Sequence, residues 1–138
     1  MANARYTYAN QGLAEGAFNW LTDEIKVILI DTDEYTVNLA THQFLSDVPV
    51  AARIAISSAL SGKSTTDGVL GADDVTFSPI VTPVTISALV IYQVKPTEAA
   101  SRLIGYMDTA TNLPFTPESG KNIVIQWDNN AALKLFKI

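Results

Sequence analysis

The chain contains no cysteine and a single histidine, His42. Without cysteine there is no disulfide framework and no thiolate, which excludes disulfide-rich secreted modules and cysteine-based zinc sites. One histidine leaves an imidazole-based metal centre short of ligands, and pairing His42 with an arbitrary serine and aspartate defines no triad. Charge is also scarce: 17% of residues are Asp, Glu, Lys or Arg, against roughly 25% in an average globular domain. Nine Lys and Arg, scattered from Arg5 to Lys137, stand against fourteen Asp and Glu, for a net charge of −5. No basic stripe is available to neutralise phosphates, so nucleic acid is not expected among the partners. No apolar run approaches the ~20 residues of a membrane-spanning helix. The opening Met1–Tyr6 lacks the charged segment and apolar stretch of a secretory signal, so synthesis and folding in a bacterial-type cytoplasm are expected.

What the chain does have is apolar residues, 48% of its 138. That length predicts one domain, 1–138, able to bury about two thirds of its unfolded surface without a metal or disulfide staple. The apolar residues fall into short β-type runs with turn signals every ten residues or so. This is the pattern of an all-β protein, an antiparallel sandwich or jelly-roll-like domain with one or two short helical turns. Residues 1–20 read as an N-terminal arm or short helix. Within them Gln11–Trp20 offers one helical turn with Leu13 and Ala17 on one side, weakened by Gly12 and Gly16 at about 1 kcal/mol each.

The strand Ile25–Asp31 sets Ile25, Val27 and Leu29 on one face and Ile28 and Ile30 on the other, beside Lys26. Half-exposed strands alternate apolar with polar, so this one should be covered on both faces. A second sheet would take one face; a helix, a loop or a neighbouring subunit would take the other. Tyr35–Leu39 reads as a short strand and Thr41–Asp47 as a helical turn closed by Val48-Pro49. Arg53–Leu60 reads as a strand with Ile54, Ile56 and Leu60 inward and Arg53, Ala55 and Ser57 outward. After a polar loop at Ser61–Asp67 come a weak strand at Gly68–Leu70 and another at Val75–Phe77. Val84–Val94 places Val84, Ile86, Ala88, Val90, Tyr92 and Val94 on one face, until Pro96 stops it. In Arg102–Asp108, Leu103 and Met107 oppose Ile104 and Tyr106. Thr109–Lys121 is a long loop, Ile123, Ile125 and Trp127 form an inward row, and Leu133–Ile138 closes the sheet. Lys134 and Lys137 would blunt a sheet edge there.

Few residues invite a chemical role. Ser61-Gly62-Lys63-Ser64-Thr65 has the ending of a phosphate-binding loop, but that motif needs a glycine where Ser57 stands and a helix where Thr65–Gly68 has turn chemistry. Asp31, Asp33 and Glu34, with Asp73 and Asp74, lack the ordered ligand set of a calcium loop and suit turns. Asp108 and Asp128 lie at strand ends, where two carboxylates could face each other as in a glycosidase. Tyr92, Tyr106, Phe115, Trp127 and Phe136 could stack a sugar, although their alternation suits a core. Trp20 and Tyr35 flank the two-faced strand and suit an interface, where aromatics are enriched. No catalytic, cofactor-binding or metal-binding residue is assigned, and no cofactor is expected.

The order of the blocks carries more than their chemistry. Gly12–Thr32, Tyr35–Leu39, His42–Pro49, Arg53–Ala55, Asp73–Phe77, Ala88–Tyr92, Ser101–Thr109 and Ile125–Asn129 together resemble a family of small tailed-phage virion proteins. In that family a Gly-rich turn and an acidic-Trp segment lead into an Asp-x-Ile-Lys-Val strand, here Asp23–Val27, and a short Phe-Lys-rich strand ends the chain. The resemblance implies a non-enzymatic capsid decoration, or cement, protein on the outer surface of the head. Its partners would be the major capsid protein and further copies of itself as a homotrimer, a natural fit to local threefold positions. Residues 1–20 would be the arm that bridges capsomers. The alternatives are a tail-tube, head-completion or fibre-base protein, or a carbohydrate-binding module for adsorption.

Overall fold

A computed structural model describes residues 4–66, 69–80, 84–108, 113–114, 116–117, 120–127 and 136–137. Strand β1 (Ala4–Arg5) leads into helix α1 (Thr7–Glu15) and then β2 (Ile25–Ile30). Two 3-10 turns, Leu45–Asp47 and Val50–Ala52, precede β3 (Arg53–Ile56), β4 (Ser64–Thr66), β5 (Val69–Gly71) and β6 (Val75–Phe77). The order ends with β7 (Ala88–Gln93), β8 (Leu103–Met107), β9 (Ile123–Ile125) and β10 (Phe136–Lys137). A five-stranded sheet in the order β1-β8-β7-β2-β3 is accompanied by a three-stranded sheet, β10-β5-β4, and a β6-β9 pair. All the pairings are antiparallel. The expected all-β, antiparallel single domain is the observed one, with its second layer divided into two small sheets.

Strand β2 lies inside the five-stranded sheet, between β7 and β3, and its run of apolar residues is buried on both sides. Ile25, Val27 and Leu29 pack with Leu89 and Ile91 of β7 against Leu70, Val75, Phe77, Ile123 and Trp127 of the small sheets and their flanks. Ile28 and Ile30 pack on the opposite face with Val90 and Tyr92, under Tyr6, Ala9, Tyr35, Leu45, Val48 and Ala52. Each of these large side chains contributes on the order of 1.5–3 kcal/mol on burial. One face therefore meets the second sheets and the other meets a helix and loops, all from the same chain. A neighbouring subunit is not needed to cover β2.

Helix α1 starts earlier than Gln11. Gly16 ends it in the left-handed conformation, at φ 71°, and the N–H groups of Gly16 and Ala17 close back on Leu13 and Gly12. Only a residue without a Cβ adopts that cap at little strain. Gly12 is buried where the Phe18 ring and Arg102 press on the helix, so the glycine that weakens the helix lets the chain fold back across it. The segment expected as an arm is tied down from residue 4 onward. Its β1 pairs with β8, and Tyr6 is wholly buried.

Two bulges move side chains away from the faces that simple alternation assigns. On β8, Ile91 faces Gly105 while Tyr92 faces Leu103, so Ile104 is the extra residue. Leu103 then joins the Tyr6 side of the core and Met107 the Trp127 side, instead of sharing a face. On β3, Leu29 faces Ala55 while Ile30 faces Arg53, so Ile54 is the extra residue. Ile54 and Ala55 both pack on the core, Ile56 is 45% exposed, and Ser57 is buried. The Ser57 hydroxyl accepts the Val27 N–H at 2.9 Å, which explains why a polar residue turns inward there. In β7 the face Ala88-Val90-Tyr92 is as expected, but Ile86, just ahead of the strand, lies on the opposite side.

Tyr35–Leu39 is irregular instead of a strand, because Asn38 supplies turn chemistry. Its side-chain oxygen accepts the Ala40 and Thr41 N–H groups, each at 3.1 Å. The helical turn expected at Thr41–Asp47 is confined to Leu45–Asp47, where the Asp47 carboxylate accepts the N–H groups of Gln43 and Phe44 at 2.8 and 3.1 Å. Ser64–Thr66, within the expected polar loop, forms β4. The inward row Ile123-Ile125-Trp127 is as expected. Lys134 lies outside the described residues, and the described part of the last segment, β10, pairs with β5.

Candidate functional site

The phosphate-loop likeness does not survive folding. Ser64 begins a strand and not a helix, Gly62 has a positive φ of 61°, and the Lys63 ammonium donates to the backbone carbonyl of Asp23. Burial pulls the Lys63 pKa down, against the opposing pull of Asp23 and Glu24. The hairpin is a structural tie from β4 to the turn ahead of β2.

The acidic residues are used in turns and caps. Asp31 Oδ1 accepts the Asp33 N–H at 3.0 Å, and the Asp31 carbonyl accepts the Glu34 N–H at 3.1 Å. The Asp73 carbonyl accepts the Trp127 indole N–H at 2.9 Å, and Asp74 Oδ1 accepts the Trp127 backbone N–H at 3.3 Å. Among the described residues no three His, Asp or Glu side chains gather as metal ligands. Asp128 lies outside the described residues. Its proposed partner Asp108 acts on Tyr106, whose hydroxyl is pushed up to about 12 by burial first and then by Asp108 and Tyr35.

The aromatic residues expected at an interface or a sugar platform are interior. Trp20 and Tyr35 are each 3% exposed, which corrects the interface reading: both belong to the core. The Trp20 indole N–H donates to the Gly71 carbonyl at 3.0 Å, tying the N-terminal region to β5. Tyr92, Tyr106 and Trp127 are likewise buried. Phe115 and the Phe136 side chain lie outside what is described. Among the described residues no Phe, Tyr or Trp is exposed.

Two features remain. The first is a polar chain inside the α1 face of the core. The hydroxyls of Tyr6 and Tyr35 are 2.9 Å apart, and the Tyr35 hydroxyl is 2.9 Å from His42 Nδ1. The Asn38 N–H also donates to Nδ1, at 3.2 Å, and the Tyr35 and His42 rings stack with centroids 5.5 Å apart. Burial raises the Tyr6 hydroxyl far above the ordinary tyrosine value, with further increments from Tyr35, Tyr106 and Asp47. Tyr35 is pushed up to about 12, again chiefly by burial. No sequence spacing signals this chain, whose members are 7 and 29 residues apart. The second feature is a groove of about 450 Å³ between β3 and the segment that follows β6, flanked by Ile56, Ser58, Thr76 and Pro79. Among the described residues, no titratable side chain lines it. The first place offers two hydroxyls and an imidazole, and the second offers hydroxyls and apolar contact.

No family model matches the chain, and no curated protein sequence is similar to it. No described helix is long and apolar enough to cross a membrane.

Proposed function

We propose that the chain is a non-enzymatic structural subunit of a tailed-phage virion. It binds the outside of the capsid as a decoration protein and stabilises the head. The observation that carries this reading is the ordered series of sequence blocks described above, which runs from Gly12 to Asn129. Where they fall on described residues, the blocks coincide with the framework: Trp20, β2, the Tyr35–His42 pair, Arg53, β6, β7 and β8. These positions belong to the framework of this chain, so the likeness supports a structural role. The side chains that sequence reading put forward for chemistry are, where described, engaged in caps, turns and the core, which fits a building block.

In this reading the major capsid protein is the principal partner, and nucleic acid and membrane are not partners. The protein resides on the capsid surface after synthesis in the host cytoplasm. Many copies, each held weakly, add their affinities through multivalency. The homotrimer belongs to the proposal, but β2 no longer argues for it, because both its faces are covered within one chain. Among the described residues, the groove and the exposed side chains of Leu21, Val50, Ile56 and Val124, at 49%, 72%, 45% and 51%, offer apolar surface for contacts.

The test is co-sedimentation of the purified protein with DNA-free heads of the phage that encodes it, together with its native mass. Saturable binding to heads, and a mass about three times 14.9 kDa, are expected. No binding to heads overturns the decoration role, and a ring or open polymer transfers the protein to the tail.

A further inference from the structure

Nδ1 of His42 accepts a hydrogen bond from the backbone N–H of Asn38, at 3.2 Å. A backbone N–H can only donate, so Nδ1 carries no proton in this arrangement and the neutral ring has its hydrogen on Nε2. The next proton the ring takes must therefore go to Nδ1. The Tyr35 hydroxyl, 2.9 Å from the same nitrogen, can either donate or accept, as can the Tyr6 hydroxyl beyond it. The Asn38 N–H has no such freedom.

We infer that His42 is a proton-operated latch on the segment between β2 and β3. Protonation at Nδ1 reverses the polarity of the tyrosine chain: Nδ1–H donates to Tyr35, and Tyr35 donates to Tyr6. It also leaves the Asn38 N–H without its acceptor, facing a second donor. The turn at Asn38–His42 then loosens. The consequence reaches the N-terminus, because the Leu39 carbonyl accepts the N–H of Thr7, the first residue of α1, at 2.8 Å.

The groups placed to influence the proton come from several elements. Tyr35 stacks on the ring, Tyr6 at the start of α1 lies behind Tyr35, and Tyr106 of β8 meets Tyr35 edge-on with centroids 6.4 Å apart. From the 3-10 turn, the Asp47 carboxylate interacts electrostatically with His42. The latch is independent of the capsid reading and stands or falls by its own test.

Because the chain has one histidine, the imidazole nitrogens give a single pair of signals in a long-range 1H–15N spectrum of the intact protein. At high pH the pyridine-type signal is expected on Nδ1. As the ring titrates, the Asn38 amide should shift and lose hydrogen-exchange protection with the same midpoint, followed by the Thr7 amide. His42→Asn retains an acceptor near the Nδ1 position but cannot take the proton, so both amides should stay protected over the same pH range. The hydrogen residing on Nδ1 at high pH, or an Asn38 amide indifferent to the ring's titration, overturns the latch.

Discussion

The hydroxyls of Tyr6 and Tyr35 meet at 2.9 Å inside the core, joining the first residues of the domain to the segment that leaves β2. Neither group has access to bulk water, since Tyr6 is 0% and Tyr35 3% exposed. The Tyr6 hydroxyl therefore depends on Tyr35, which itself also bonds His42. Tyr6→Phe keeps the ring and removes one partner, and is expected to lower stability by about 0.5–1.5 kcal/mol. Urea unfolding with an unchanged m-value checks it; a variant as stable as the parent would show that the pair contributes nothing.

The same burial makes stability sensitive to alkali. Tyr35 and Tyr106 are pushed up to about 12, and Tyr6 and Tyr92 are raised as well, in every case chiefly by burial. A raised tyrosine pKa means that the folded state prefers the protonated hydroxyl. The stabilisation is whole below the ordinary tyrosine value near 10 and is lost as pH rises from there towards about 12. Thermal melts between pH 8 and 12 should show Tm falling in that window, with tyrosinate absorbance rising at the unfolding transition. A flat Tm across the window contradicts it.

Arg53 clamps three elements. Its guanidinium donates to the Leu45 carbonyl at 3.0 Å and twice to the Val48 carbonyl, at 3.1 and 2.7 Å, and pairs with Glu98 at 2.8 Å. Lysine keeps the charge but cannot present donors in a planar fork. Arg53→Lys is therefore expected to lower stability by about 1.5–3 kcal/mol, the range for hydrogen bonds to a charged group. Glu98 is solvent-exposed, so Glu98→Gln should have a much smaller effect. Equal losses from the two substitutions would place the energy in the ion pair and not in the clamp.

Gly16 and Gly62 share the left-handed backbone but differ in surroundings. A Cβ at Gly16 meets open space, whereas one at Gly62 would run into the Asp73 carboxylate. Gly16→Ala should lose about 1–2 kcal/mol from conformation alone, and Gly62→Ala more than that. Denaturation of both variants checks the order; a reversed order would mean that the β4 hairpin moves freely away from Asp73.

How much of this was legible in sequence depends on whether the signal is local. The Ile25–Ile30 run announces a strand covered on both faces because no polar residue but Lys26 interrupts it. The Ile123-Ile125-Trp127 row is legible for the same reason. The bulges at Ile54 and Ile104 are not, since an extra residue in a ladder leaves no mark on composition while reversing every face beyond it. Tyr35, an apparent strand residue, is instead held in an irregular segment by Asn38 and His42. The indole bonds of Trp20 to Gly71 and of Trp127 to Asp73 span 51 and 54 residues. Such long-range pairings turn expected interface or sugar-stacking aromatics into core, and only the fold reveals them.

In the proposed function this chain sits on the outside of a phage head. Immunogold labelling of intact virions, with an antibody raised against the purified protein, tests it most directly. Dense label is expected over the outer surface of the head, lost when the antibody is pre-absorbed with the protein. Label confined to the tail, or virions that carry none of the chain, would contradict it.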